Sequence, residues 1–226
     1  MTNSLIQTVD LKKSYEHENG NIDLFSNVNI KIKRGDLVAL VGPSGSGKSS
    51  FLHLLGLLDE PNKGKILFNN KDMKYLDDEQ KNEIRRKKIS IIFQDNNLLT
   101  DFTAIENVIM PLIIRGENKT SSITKAHKIL KAVKIQNRVN HFPNELSGGE
   151  QQRACVARAI IKAPDIILAD EPTGNLDPVT SFELIKLLEE INKEGTSILM
   201  ASHNYNLIKG RGHRIIEIQD GTVRRS

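Results

Sequence analysis

A glycine-rich segment follows an apolar run near the start of the sequence. It reads Gly42, Pro43, Ser44, Gly45, Ser46, Gly47, Lys48, Ser49 and Ser50. The order fits the pattern G-x-x-x-x-G-K-[ST], with a strand-like run before it at 36–41 and a helix-like run after it at 50–58. Backbone N–H groups of such a loop surround a phosphate, Lys48 reaches the β- and γ-phosphates, and Ser49 can ligate Mg²⁺. The segment therefore predicts a nucleoside triphosphate site.

Two acidic residues follow another apolar run, at 166–169. Because ligands gather at the carboxyl ends of parallel strands, Asp170 and Glu171 are expected beside the phosphates. Asp170 suits contact with Mg²⁺ through water, and Glu171 suits polarisation of the water that attacks the γ-phosphate. By itself, a strand that ends in two acids is more typical of a surface turn. The glycine-rich loop is what favours a catalytic site here.

A third motif covers residues 146–153 and reads LSGGEQQR. Ser147, Gly148 and Gly149 would present free backbone N–H groups at the positive end of a helix, which is a second place for an anion. Ordinary N-capping by Ser147 is the alternative, and the motif alone favours it. One triphosphate hardly needs two such sites in one chain.

Taken in order, these motifs resemble an ABC transporter nucleotide-binding domain over essentially the whole chain. The resemblance also rests on Gln94, the segment 174–177 (GNLD) and His203. It implies that Tyr15 stacks on adenine, that Gln94 senses Mg²⁺ and the γ-phosphate, and that His203 holds the γ-phosphate and the attacking water. The implied catalytic residues are Glu171, His203 and Gln94, and the implied magnesium residues are Ser49, Gln94 and, through water, Asp170.

The same resemblance implies a partnership between identical chains. Ser147, Gly148 and Gly149 of one copy would close over the ATP that is bound to the loop of another, so that a homodimer has two composite sites. Two integral membrane permease subunits would be driven from the cytoplasmic face of the inner membrane, where the chain would be peripheral. We expect Leu98, Leu99 and Phe102 to line the groove that receives a permease helix, and burial in the chain's own core is an equally weighted alternative.

Within the family, the sequence is most similar to the LolD-type ATPase of the lipoprotein-releasing exporter. The segments that carry this likeness are 54–59, 97–107 and 169–177. The predicted function is therefore ATP hydrolysis that powers lipoprotein release, and the ATPase of a MacB-like exporter or an FtsE-like cell-division complex is the alternative. Two positions depart from the common pattern, because Asn204 follows His203 where Asp is usual and Glu150 replaces Gln.

The elements that would position these residues alternate between strands and helices, which predicts an α/β P-loop NTPase of the RecA-like type. Its mainly parallel sheet would use strands at 36–41, 89–93, 165–169 and 196–201. An antiparallel β subdomain is expected beside this core, with antiparallel strands at 5–9, 28–32 and 214–218 and a turn at 220–221. Helices are expected at 104–115, 122–133 and 149–162. We expect one domain over 1–226, with a core at about 1–95 and 163–226 and an inserted helical subdomain at about 96–162.

Composition and motif spacing argue against several other classes of protein. The 226 residues are 38% hydrophobic and carry a formal charge of +4. Only 4% of them are aromatic and none is Trp, so few side chains are available to stack on the bases of a nucleic acid. The segment between Lys48 and Ser147 is too short for the long coiled coil of chromosome-organising ATPases, and no nucleic acid partner is expected. A pure nucleotide-binding module would leave Glu171 and His203 idle.

The remaining sequence features predict a cytoplasmic chain without membrane spans of its own. Residues 1–10 lack the pattern of a secretory signal, and the apolar run 105–114 is too short to span a bilayer. The single cysteine, Cys155, has no disulfide partner within the chain and is expected to be buried and inert. The basic run 85–88 follows acidic residues and reads as a solvated helix end rather than a phosphate patch.

Overall fold

Two β-sheets form the frame of the protein, in a computed structural model that describes residues 4–17, 20–219 and 221–225. The larger sheet contains, in spatial order, β11 (Thr222–Arg225), β10 (Arg214–Gln219), β4 (Leu37–Val41), β9 (Ser197–Ser202), β8 (Ile166–Asp170) and β7 (Ile89–Ile92). The smaller sheet contains β2 (Gly20–Val28), β1 (Ser4–His17), β5 (Lys63–Phe68) and β6 (Lys71–Asp72), and β3 (Lys31–Lys33) pairs with β1.

The described residues form six α-helices around these sheets. They are α1 (Lys48–Leu55), α2 (Asp78–Lys87), α3 (Ala104–Ile114), α4 (Lys119–Ala132), α5 (Gly148–Ile160) and α6 (Pro178–Lys193), with short 3-10 helices at Met73–Tyr75, Gln136–Arg138, Pro143–Glu145 and Tyr205–Leu207. Strands from β10 to β7 run parallel to their neighbours, and β11 is antiparallel to β10. This confirms the predicted α/β class with a mainly parallel sheet.

Both faces of the larger sheet are buried, which is why its strands read as continuous apolar runs. In β4, Val38 and Leu40 face a cluster that includes Phe51 of α1, while Ala39 and Val41 face a cluster that includes residues of α5 and α6. Each fully buried large side chain contributes about 1.5–3 kcal/mol relative to exposure. The sheet is therefore a rigid platform whose carboxyl edge can hold side chains in fixed positions.

Two strand predictions need correction. The predicted strand 28–32 is interrupted, because the Thr8 hydroxyl accepts from the Ile30 backbone N–H at 3.0 Å and takes the place of a ladder partner. β2 therefore ends at Val28 and β3 begins at Lys31. The predicted antiparallel strand 214–218 lies in the larger sheet as β10, parallel to β4 on one side and antiparallel to β11 on the other. Of the predicted turn at 220–221, Asp220 lies outside the described residues.

The chain between β7 and β8 contains helices α3, α4 and α5 and no strand in the part that the structure describes. These helices match the three predicted ones to within a few residues. The helix predicted at 50–58 is shorter, since α1 ends at Leu55 and Leu57 adopts a positive φ of 58°. The division into a core and a helical subdomain stays a prediction.

The basic run at 85–88 forms the end of α2, as expected. Asp77 caps this helix by accepting from the Gln80 backbone N–H at 2.8 Å, and Gln80 accepts from the Asp77 N–H at 3.1 Å. At the other end, Glu83 forms ion pairs with Arg86 and Lys87. Acidic residues at the start of a helix and basic residues at its end both complement its dipole. A solvated helix end explains this charge pattern.

Candidate functional site

The glycine-rich loop connects β4 to α1 and turns sharply enough to require glycine. Gly45 and Gly47 have φ values of 78° and 91°, which other residues rarely adopt. The Nζ atom of Lys48 donates to the carbonyl oxygens of Gly42 at 2.9 Å and Pro43 at 3.0 Å. The loop therefore encloses its own lysine at the positive end of α1, where backbone N–H groups lack helical partners.

The two predicted carboxylates lie at the carboxyl end of β8, next to this loop. Asp170 and Glu171 are both buried, with 7% and 8% of their surface exposed. Glu171 adopts a positive φ of 46°, and its backbone N–H donates to the Ala201 carbonyl of the neighbouring strand at 3.1 Å. A left-handed conformation at a non-glycine residue costs free energy and is concentrated at functional sites. Here the backbone leaves the extended conformation of β8 at Glu171.

Glu171 contacts two other predicted site residues. Its Oε2 atom lies 2.5 Å from Nδ1 of His203, and its Oε1 atom lies 3.5 Å from Nζ of Lys48. Because an ionised carboxylate only accepts, the His203 ring nitrogen is the donor in this contact. The ends of β4, β8 and β9 are neighbours in the sheet, so residues distant in sequence meet here. The structure thus brings Lys48, Glu171 and His203 together.

Asp170 is suited to hold a hard cation. Its Oδ1 atom is buried and has no hydrogen-bond partner among the described residues. Burial raises the pKa of this carboxyl, and the Ser49 hydroxyl and the charge of His53 act in the opposite direction. Carboxylate and hydroxyl oxygens are typical Mg²⁺ ligands, directly or through water. The buried, unpartnered oxygen therefore fits the magnesium role that the sequence assigns to Asp170 and Ser49.

Gln94 follows β7 and lies against the turn that begins at Glu171. A Cβ atom built on Gly174 would lie 3.5 Å from Nε2 of Gln94, and the Gly174 N–H donates to the Glu171 carbonyl at 2.9 Å. The Gln94 amide is therefore next to the backbone that sets the Glu171 conformation. This position is consistent with the catalytic and magnesium roles that the sequence predicts for Gln94.

Tyr15 lies on β1 beside the beginning of α1. Its hydroxyl is 3.1 Å from Oδ2 of Asp59 and 3.5 Å from Oγ of Ser50, and 43% of its surface is exposed. Nζ of Lys13 lies 4.7 Å from the ring centroid. Burial opposes the ionised form of Asp59, but hydrogen bonds from Lys13, Tyr15 and the Glu60 backbone lower the pKa of its carboxyl overall. The Tyr15 ring is thus anchored at its hydroxyl, next to the phosphate loop.

The motif at 146–153 forms no hydrogen bond to these residues in the part of the chain that the structure describes. Ser147 caps α5, since its hydroxyl accepts from the Glu150 N–H at 3.3 Å and its own N–H donates to Oε2 of Glu150 at 2.9 Å. Oε1 of Glu150 pairs with Nε of Arg138 at 2.7 Å. Local N-capping is therefore present, and Glu150 completes it. Ser147 and Gly148 are exposed, and no hydrogen bond between described residues joins them to the phosphate loop.

The predicted groove residues divide into two groups. Leu98 is partly buried and packs against the hydrophobic core, whereas Leu99 and Phe102 are 43% and 38% exposed. Leu99 borders a cavity of about 540 Å³ together with apolar residues of α3, and the cavity also has a basic rim. Its lining includes Glu79, Arg85, Arg86, Met110, Pro111, Ile114, Arg158 and Lys162.

Sequence reasoning missed two residues that support the site. The sequence marks Asp59 only as the last residue of the segment 54–59 that resembles LolD-type ATPases, yet its carboxylate contacts the Tyr15 hydroxyl and anchors this side chain. Arg158 was not singled out, although it contacts the loop after Gln94 through the Asn96 and Asn97 carbonyls. Gln151, Cys155 and Arg158 are spaced four and three residues apart, so they share one face of a helix. That spacing was the signal available for Arg158.

Comparisons with known proteins agree with this geometry. Residues 25–174 match the family model described as ABC transporter. The cell division ATP-binding protein FtsE of Bacillus subtilis (strain 168) is 40% identical over 215 residues, which is 95% of this chain and 94% of that protein.

Among solved structures, the dimeric ATP-binding cassette MJ0796 in a post-hydrolysis state bound to ADP and Pi is similar with a TM-score of 0.90. It is 38% identical, and the match covers 98% of this chain and 97% of that one. The cbiO1 protein of Clostridium perfringens, part of the cbiONQ complex, has a TM-score of 0.86 and 27% identity over 98% of this chain and 87% of its own.

No helix in the described ranges is long and apolar enough to cross a bilayer. The family match covers more than half of the chain, and the similar proteins are matched over nearly their full lengths. The chain therefore belongs to the ABC transporter family, as the ATP-binding, ATP-hydrolysing subunit of a transporter-type system.

Proposed function

We propose that this subunit hydrolyses ATP in composite sites between two copies of the chain. One observation supports the proposal: the two segments that the sequence predicts to bind phosphate share no hydrogen bond in the described residues. The loop at 42–50 contains Lys48, whose Nζ atom lies 3.5 Å from Glu171, whereas the exposed N-cap Ser147 and the first residue Gly148 of α5 form no hydrogen bond to that loop in the described chain. A second copy would supply the missing half of each site. The similar cassette MJ0796 is dimeric, which supports this arrangement.

Within each site we assign roles from the contacts. Glu171 polarises the attacking water, because its buried carboxylate lies 3.5 Å from Nζ of Lys48 and contacts the ring of His203. His203 and Gln94 flank the γ-phosphate, and the exposed Tyr15 ring stacks on adenine. Ser49, Gln94 and, through water, Asp170 would hold Mg²⁺. Bound with ATP, Mg²⁺ neutralises charge that develops on the phosphates. We also propose that 96–162 is a helical subdomain inserted in one nucleotide-binding domain.

Dimer closure can be tested at Gly148. A Cβ atom there would meet only Leu176 Cδ2, at 3.7 Å, and an acid in the first turn suits the helix dipole. We therefore expect Gly148→Asp to fold normally but to repel the triphosphate of the other copy. With hydrolysis blocked by Glu171→Gln, millimolar ATP and Mg²⁺ should produce a dimer in size-exclusion chromatography, and adding Gly148→Asp should abolish it.

Thr120→Asp provides the matched control, because it places the same charge in the exposed first turn of α4. This control should dimerise like its parent. Gly149 is unsuitable for the test, since a Cβ there would lie 2.7 Å from Thr180 Cγ2 and this side chain would have to move. A Gly148→Asp protein that still forms the ATP-dependent dimer would contradict the composite site.

We further propose that two integral membrane permease subunits dock at the cavity beside Leu99, with the chain at the cytoplasmic face of the inner membrane. The cavity combines apolar Met110, Pro111 and Ile114 with four cationic residues and one acid. An amphipathic helix that carries acidic residues would match this lining. Leu99 and Phe102 are exposed and remain part of this proposal, whereas packing against the core makes Leu98 a supporting residue.

Crosslinking tests this docking surface. In a chain with Cys155→Ala, a cysteine at Leu99 should crosslink to a membrane subunit in the complex assembled in native membranes. A cysteine at the exposed Lys186 of α6 is the control and should not crosslink there. Labelling at both positions, or at neither, would place the permease elsewhere on the chain.

The process that is powered is a separate question. The sequence predicts lipoprotein release, and the comparisons do not support that prediction. The 40% identity to the cell division protein FtsE favours the FtsE-like alternative. The identity of the membrane subunit that copurifies with this chain decides between them.

A further inference from the structure

We propose that Arg158 is a positioning residue for hydrolysis, which acts by fixing the loop that follows Gln94. The inference rests on the proposed function, because it concerns the same site. Arg158 lies on α5 and does not contact Glu171, His203 or the loop at 42–50 through any hydrogen bond in the described residues. Its hydrogen bonds instead reach the carbonyls of Asn96 and Asn97, and this is the loop through which it would act on Gln94.

The loop after Gln94 has an unusual backbone. Asn96 and Asn97 adopt φ values of 55° and 46°, so two consecutive residues are left-handed. Asn tolerates this region better than most residues, but it still costs free energy and needs support from the surroundings. Both carbonyl oxygens point to one guanidinium: Arg158 donates to Asn97 at 2.8 Å and to Asn96 at 2.9 Å.

Three residues on one face of α5 contact the loop after Gln94, and the guanidinium of Arg158 makes the strongest of these contacts. Oε1 of Gln151 accepts from Nδ2 of Asn96 at 3.1 Å, and Sγ of Cys155 donates to the Asn96 carbonyl at 2.9 Å. Burial raises the pKa of the Cys155 thiol to about 11, so the thiol stays neutral and is a weak donor. Charge-assisted bonds are about twice as strong as neutral ones, and the planar fork of arginine fixes direction as well.

The geometry leads from Arg158 to the reacting groups in short steps. Asn96 is two residues after Gln94, and the Gln94 amide lies against Gly174. The Gly174 N–H donates a hydrogen bond to the Glu171 carbonyl, in the turn that begins at Glu171. Because Ser147 caps α5, the helix that is proposed to contact the nucleotide of the other copy also sets the position of Gln94 in its own copy.

Arg158→Ala is expected to lower kcat for ATP hydrolysis by about 10- to 100-fold, since small displacements of positioned groups have effects of this size. The KM for ATP should change by less than about twofold, because the loop at 42–50 is untouched. Arg158→Lys should recover part of kcat, since its ammonium can still donate to one of the carbonyls. The control is Arg214→Ala, which removes another guanidinium bonded to a backbone carbonyl, that of Lys31 at 2.7 Å.

A double mutant decides whether Arg158 acts through Gln94. In a Gln94→Ala background, Arg158→Ala should cause almost no further loss, because both changes disturb one unit. Multiplicative losses, an equal loss in Arg214→Ala, or a rise in KM that matches the fall in kcat would overturn the inference. If Arg158→Ala unfolds, as melting would show, Arg158→Lys carries the same cycle. A wild-type protein without ATPase activity would instead refute the proposed function.

Discussion

Replacing Glu171 with glutamine is expected to lower the rate of ATP hydrolysis by about 10²–10⁴-fold, the range for loss of a positioned general base. Glutamine keeps the size of the side chain and can still accept from His203, but it does not take a proton from water. ATP binding should survive, because Lys48 keeps its bonds to the Gly42 and Pro43 carbonyls. Phosphate release measures the rate, and fluorescence of a nucleotide analogue measures binding.

The control for this variant is Glu190→Gln on α6, which neutralises an exposed glutamate away from the site. It should hydrolyse ATP at the wild-type rate. Equal rates in wild type and Glu171→Gln would show that Glu171 is not the base. The positive φ of Glu171 would then need another explanation, because strain of this kind is kept where the surroundings enforce it.

Asp170→Asn is expected to have opposite effects on stability and on activity. Without nucleotide and Mg²⁺, the variant should be more stable by about 1 kcal/mol, because a buried carboxylate oxygen that has no protein partner is replaced by a neutral group. For a chain of this length this corresponds to a rise in Tm of about 2–4 °C. Magnesium-dependent hydrolysis should fall by about two orders of magnitude or more.

The pH dependence follows from the raised pKa of Asp170. Since folding raises the pKa above 3.8, the folded state binds the proton more tightly than the unfolded chain. The destabilisation by the charged carboxylate is therefore complete above the raised pKa and disappears as the pH falls toward 3.8. The Tm difference between Asp170→Asn and wild type, measured without Mg²⁺, should shrink as the pH is lowered.

Asp23→Asn on β2 is the control, because Asp23 is exposed and, among the described residues, its carboxylate forms a surface ion pair with Lys12 alone. Asp23→Asn should change the Tm by no more than about one degree and should leave the rate of ATP hydrolysis unchanged. A Tm of Asp170→Asn below that of wild type at neutral pH would show that the Asp170 carboxylate is stabilised by its surroundings. Asp170 would then be a structural residue rather than a magnesium residue.

Much of the site could be predicted because its signals are local. The loop at 42–50 is specified by glycines at positions where the backbone is left-handed, and the strand ending in Asp170 and Glu171 is specified by a continuous apolar run. The three helices between β7 and β8 were located from their periodicity. The prediction of one continuous strand at 28–32 was wrong, because the interruption depends on the side chain of Thr8, which is distant in sequence.

The sequence by itself determined the family, the phosphate loop, the order of the motifs and the main strands and helices, since each depends on neighbouring residues and their periodicity. The tertiary structure alone decided which side chains meet. The contact of Glu171 with His203 and Lys48 exists because three parallel strands end at one edge of the sheet. The hydrogen bonds from Arg158 to the Asn96 and Asn97 carbonyls likewise depend on how α5 packs beside β7. Contacts between distant segments are fixed by packing, and packing is not encoded in any short stretch of residues.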